Sequence, residues 1–198
     1  MVGLLLGASV ASGLRLYATV AVLGFLGHAG ALVLPGQLKV LENPWVIGVA
    51  AGLYLVEFLA DKIPVVDSIW DLVHTFIRVP ATSLLAWAAT SNVREEWRIV
   101  AALICGGVAL STHGLKASTR VALNTSPEPV TNWIASLTED GLTVFLIFLA
   151  VNYPLAAGAV AAAVVVLAIV AAAWIIRTLR RFLRSRRTGP GEGELALK

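Results

Sequence analysis

The chain has 198 residues, of which 58% are hydrophobic and only 14% charged, with a mean hydropathy of +0.84. Soluble domains carry about 25% charged residues, and a core of this size cannot bury so much apolar side chain in water, so the bilayer is the expected solvent and an ordinary soluble protein is excluded. The formal net charge of +3 has its excess at the C-terminal end, which reads as a membrane-orientation signal and argues against nucleic acid as a partner.

The single cysteine, Cys105, lies in an apolar run, so no disulfide framework is expected. The opening MVGLLLGASVASG has the small residues of a signal-peptide cleavage site but no basic leader, and Arg15 follows without a polar break. It reads as a first span, Val2 to Gly27, with Arg15 near its middle. Gly3, Gly7 and Ala11 repeat every four residues and offer a small face for close helix packing. His28 to Pro44 is a connection rich in turn formers. Span two, Val46 to Ala60, is short against the roughly 20 residues a crossing needs. Glu57 and Asp61, four apart, share one face of its last turns, and Lys62 and Pro64 end it.

Glu57 to Pro80 then holds seven ionisable groups in 24 residues: Glu57, Asp61, Lys62, Asp67, Asp71, His74 and Arg78. Asp67 caps a helix over Ser68 to Arg78 that stops before Pro80. Asp67, Asp71, His74 and Arg78 fall on one stripe of it, so this helix is expected to be amphipathic, lying in the interface or re-entering. Ala81 to Thr90 is too short to span alone and makes a kinked third span only if joined to that helix through Pro80. Ser91 to Arg98 is a polar turn. Span four, Ile99 to Thr112, runs into a second polar cluster. Span five, capped by Thr131 or Asn132, runs to Val151 and carries Glu139 and Asp140. Asn152-Tyr153-Pro154 makes a turn. Span six, Leu155 to Ile176, has no charge and is followed by six arginines from Arg177 to Arg187. Residues 188–198 read as a disordered tail, leaving 1–187 as the membrane domain. The expected fold is an all-α polytopic bundle of about six transmembrane helices, one of them short or re-entrant. The positive-inside rule puts both termini in the cytoplasm.

Gly7–Val22 (GASVASGLRLYATVAV) resembles Gly107–Leu123 (GVALSTHGLKASTRVAL) when His113 is skipped, with Arg15 opposite Lys116. If the match is a true repeat, three spans separate the copies. The halves, 1–90 and 99–187, would then be inverted, as in many transporters.

Each charged group has two readings. Arg15 is too deep for easy snorkelling. A charge there costs at least ~2.5–3.5 kcal/mol, so it must face a carboxylate or a wet cavity, with Glu57 its first expected partner and Asp140 its second. It coordinates a substrate, or it locks helices in an ion pair. Glu57 and Asp61 bind a cation or relay a proton, or they neutralise Arg15 and Lys62. Asp67, Asp71 and His74 have metal-capable spacing, against a solvated face paired with Arg78. His113, Lys116 and Arg120 share a face suited to a phosphate or a lipid headgroup, or to orienting charge. Asn124-Thr125-Ser126 fits a glycosylation sequon but falls on the expected inner side. No Gly-rich phosphate loop, zinc-ligand cysteine set or nucleophile elbow is present, so a hydrolase is disfavoured and no cofactor is expected.

The blocks SGLRLYATV (Ser12–Val20), EFLADKIPVVDSIWDLVHTFIRVPA (Glu57–Ala81), THGLKASTR (Thr112–Arg120) and NTSPEPVTNWIASLTED (Asn124–Asp140) resemble the hallmark blocks of a bacterial domain-of-unknown-function family of small multi-pass membrane proteins. The resemblance implies an inner-membrane protein of similar size and carries no catalytic residue across. The expected role is transport of a small solute or ion. Its site has Arg15, Lys116 and Arg120 as cationic contacts and Glu57, Asp61, Glu139 and Asp140 as acidic ones. Lipid handling and a purely architectural role are the alternatives. Membrane lipids are the expected partners, with a homo-oligomer left open.

Overall fold

The computed structural model describes residues 1–124 and 129–187. The Asn124–Ser126 sequon and the 188–198 tail therefore fall wholly or mainly outside the described residues. The protein is all-α: α1 (Val2–Leu14), α2 (Leu16–His28), a 3-10 segment (Gly36–Glu42), α3 (Pro44–Ala60), α4 (Pro64–Ala89), α5 (Glu95–Asn124), α6 (Pro129–Asn152) and α7 (Pro154–Arg187), with no strand among the described residues. Four of these helices start on proline, whose missing N–H costs nothing in the first turn. Asn43 adds a cap to α3, its side chain accepting from Trp45 N at 2.9 Å.

Helices α4 to α7 are long and apolar enough to cross a membrane, and α3 with the 3-10 segment makes a fifth candidate, bent by 73°. The bundle thus has four such helices, or five, where the sequence suggested six. The difference lies in the first 28 residues. They do not form one span: the helix breaks at Arg15, whose backbone is extended (φ −143°, ψ 86°). At 13 residues each, α1 and α2 are about 20 Å long, short of the ~30 Å hydrocarbon layer.

The two halves fold back on each other as a helical hairpin with Arg15 at its tip. Met1 and Val2 pack against Thr90 and Trp97, beside the α4–α5 turn. From the far end of α2, Gly24 faces the Leu41 carbonyl, and Gly36 (φ +57°) fits tightly against the Ala88 carbonyl and Ser91, again at that turn. Leu5 of α1 and Leu23 of α2 wall the same internal cavity. Both arms therefore open towards the α4–α5 end. Breaking a helix inside a bundle is tolerated because protein, not lipid, surrounds the irregular backbone.

Helix α4 reverses another expectation. It runs unbroken for 26 residues through Pro80 and is long and apolar enough to cross a membrane, so the chain doubles back at α1–α2 and not within residues 66–90. Pro80 is on an exposed face, and its ring needs no room inside the core.

Helix α1 is the hub, packed on α5, α6 and α7. The small-residue face does this work: a Cβ on Gly7 would lie 2.6 Å from Ala150 Cβ, and one on Gly13 would lie 2.6 Å from both the Ala109 carbonyl and Thr112 Cβ. Contacts of α1 with α5 run from Leu5 near Cys105, through Gly13 near Ala109 and Thr112, to Leu14 near Lys116. The two helices are parallel. The segments that resemble each other in sequence thus start at the same end, which overturns the inverted arrangement. It also puts Met1 and the arginine-bearing end of α7 at opposite ends of the bundle, not on one side. A span that turns back changes the parity of every later crossing.

Candidate functional site

The break in the hairpin exposes backbone carbonyls that no helix turn satisfies. Arg78 Nη1 donates to the Gly13 carbonyl at 3.1 Å, and Lys116 Nζ donates to the Leu14 carbonyl at 3.2 Å. Two cations thus complete the end of α1, where the helix dipole is negative.

Around this point the seven residues marked in the sequence as substrate or ion contacts meet in one network. Arg15 is fully buried. It pairs most closely with Asp61, then with Asp140 at 2.9 Å, Glu139 at 3.3 Å and Glu57 at 3.8 Å. Glu57 is the most distant of the four, although the sequence named it first. Its closer partner is Arg78. Arg15 Nη2 also donates to Ser136 Oγ at 2.9 Å. Lys116 Nζ lies 3.3 Å from Glu139, 3.5 Å from Asp71, 3.9 Å from Glu57 and 4.0 Å from Asp61. Arg120 grips Glu139 with two nitrogens, at 2.8 and 3.0 Å, and reaches Asp61 at 3.1 Å. A guanidinium holding both oxygens of a carboxylate is among the stronger protein contacts.

Each side chain arrives from its own element. Glu57 and Asp61 come from the last turn of α3 and its cap. Asp71 and Arg78 come from α4, Lys116 and Arg120 from α5, and Ser136, Glu139 and Asp140 from α6. The α6 set follows the helical repeat: Asn132, Ser136, Glu139 and Thr143 lie on one inward face and are buried or nearly so.

Four cations (Arg15, Arg78, Lys116, Arg120) thus face five carboxylates (Glu57, Asp61, Asp71, Glu139, Asp140). Buried Asp67, within electrostatic reach of Arg120, and half-buried Lys62, within reach of Asp140, add one of each sign. The described cluster carries one carboxylate more than it has cations. Glu57 Oε2, Asp61 Oδ1 and both oxygens of Asp71 have no hydrogen-bond partner.

Asp67, Asp71 and His74 do not form a metal site: no three His, Cys, Asp or Glu among the described residues are grouped to hold an ion. Asp71 joins the ion-pair network instead. His74 is committed elsewhere, its Nδ1 donating to the Trp70 carbonyl at 2.8 Å and its Nε2 accepting from the Tyr17 hydroxyl at 3.1 Å, with the ring stacked on Trp70. The stripe is not solvated either, since Asp67, Asp71, His74 and Arg78 are all buried.

Arg78 is the main contact the sequence reading missed, having been set aside as the partner of a wet face. Its signal was its place on the same stripe as Asp71 and His74. His113, Lys116 and Arg120 point into the core, 1%, 4% and 2% exposed, and do not present themselves to a headgroup. Since a guanidinium can only donate, His113 Nδ1 accepts from Arg78 Nη1 at 2.8 Å. The proton is then on Nε2, facing Thr75 Oγ1 at 2.8 Å and the Asp71 carbonyl at 3.1 Å. Ser136 also completes the shell, its hydroxyl accepting from Arg15.

Two pockets beside the network, one between α2, α3 and α4 and one between α1 and α5, are lined almost wholly by apolar side chains. The first, about 580 Å³, is walled by residues such as Leu16, Val49, Leu53 and Leu84.

Several long apolar helices around a buried charged centre fit an integral membrane protein. A family profile described as a domain of unknown function (DUF4126) matches residues 2–174, and the chain belongs to that family. No curated protein and no solved structure matches the chain.

Proposed function

We propose that this protein carries a small ion across the membrane and that the network around Arg15 is its site in an occluded state. The observation that carries the reading is the surplus carboxylate, with buried oxygens that accept no hydrogen bond. A buried charge without a partner is costly, and a network that served only to lock helices gains nothing from an odd charge. A bound cation or proton balances it. The broken hairpin supports the same reading, since interrupted helices that meet charged groups deep in a bundle are a recurring way of building transport sites.

The test is flux into liposomes holding the purified protein. Glu57→Gln and Asp61→Asn are expected to abolish it, with size-exclusion and circular dichroism showing that each variant still folds. Full flux in both variants would remove these residues from the site.

A second reading is favoured by the pairing itself. Every cation of the network touches at least one carboxylate, as an architectural core requires. Under it, the wild type shows no flux of any ion and swapping the charges of Arg15 and Asp61 restores stability. Lipid modification has less support, because His113, Lys116 and Arg120 face inward. In the proposed orientation, in a bacterial inner membrane, Arg177, Arg180 and Arg181 at the end of α7 lie on the cytoplasmic side, which puts Met1 on the other.

A further inference from the structure

Between the charged network and the α4–α5 end lies a small cavity of about 20 Å³, walled by Leu5, Ser9, Ser12, Leu38, Leu41 and Thr82 among others. Ser12 stands three residues before Arg15 on α1, and Thr82 one turn beyond Arg78 on α4. Both hydroxyls are buried, and neither has a hydrogen-bond partner. That is unusual for this protein. A serine or threonine inside a helix commonly gives its hydrogen to the carbonyl four residues back, and Ser9, Thr19, Thr90, Thr112 and Thr143 all do so here. Two unpaired hydroxyls opening on one small cavity need something to bond. An internal water needs a space of roughly 10–15 Å³ and two to four polar partners. Ser12 and Thr82 supply two, and a lone pair of Ser9 Oγ supplies a third.

Leu38 and Leu41 of the 3-10 segment, each 5% exposed, line the cavity on its outer side. Along α4 and α1 the cavity therefore lies about one turn from Arg78 and Arg15, with leucines on its other wall. Nothing larger than one water fits in it, and a water held between hydroxyls can pass on a proton without moving itself.

We propose that the Ser12–Thr82 cavity holds one ordered water bonded to these hydroxyls, about one turn from the charged network, and that the ion carried is a proton. The second clause rests on the transport reading above; the first does not. X-ray footprinting, in which radicals made from bound water oxidise its neighbours, tests the water directly on the protein in lipid nanodiscs. Leu38 and Leu41 are expected to oxidise an order of magnitude faster than the equally buried Leu34 and Leu146, and to lose that excess in the Ser12→Ala/Thr82→Val double variant. Equal oxidation of all four leucines in the wild type overturns the water site. In liposomes, Thr82→Val is expected to slow proton flux by an order of magnitude, with Thr82→Ser restoring it and the thermal midpoints of both confirming the fold. Sodium, potassium or chloride flux as fast as that of protons overturns the proton assignment. Oxidised leucines with no flux of any ion leave the water standing and remove the transport reading.

Discussion

Removing a cation from the network and removing a carboxylate should have very different costs. Arg78→Met deletes the partner of Glu57 and the bonds to the Gly13 carbonyl and His113. It also raises the surplus of buried carboxylates from one to two. Breaking a buried pair on one side costs about 3–5 kcal/mol, which for a chain of this size lowers the melting midpoint by about 6–20 °C. Asp71→Asn keeps the shape of the side chain and brings the count to four against four. Its carboxylate makes no hydrogen bond and stands 3.5 Å from Lys116 and 3.7 Å from Arg78, the loosest of the five. Because it takes away the unbalanced charge and not a partner, the change should lower the midpoint by less than about half the fall seen for Arg78→Met. Tryptophan fluorescence during thermal unfolding in one detergent reads both variants. If Asp71→Asn falls as far as Arg78→Met, the network is balanced as it stands and the surplus-charge argument fails.

The hairpin and the packing of α1 make further predictions. Val2→Cys and Leu179→Cys, both at exposed positions, should react with an impermeant maleimide from opposite sides of a sealed membrane; labelling from one side only would restore a first helix that crosses. Gly13→Ala should lower the melting midpoint by about 2–12 °C, because its Cβ would meet the Ala109 carbonyl at 2.6 Å and overpacking of this kind costs about 1–3 kcal/mol. Gly52→Ala in α3 has open space and should instead raise the midpoint by about 2–4 °C, since alanine is favoured over glycine in a helix by about 1 kcal/mol.

Much of the charged centre was legible before any coordinates. Arg15, Glu57, Asp61, Lys116, Arg120, Glu139 and Asp140 stand out because charge is rare in an apolar chain and expensive in lipid, so it has to be gathered. The same logic failed for Arg78. A helix with one polar stripe looks alike whether the stripe faces water or faces other helices, and only α1 and α5 closing over it decide. The hairpin was equally hidden. Nothing in SGLRLYATV distinguishes a helix that passes through from one that stops, because the break is held by the side chains of Arg78 and Lys116, which arrive from more than sixty residues away.

Composition alone pointed to the bilayer as solvent, to the helical class and to the charges that had to meet, since these depend on what each residue costs in hydrocarbon. Direction, partners and parity belonged to the assembled bundle. Whether a chain turns back at a buried arginine depends on what meets its loose carbonyls there, and those partners share no neighbourhood with it along the sequence.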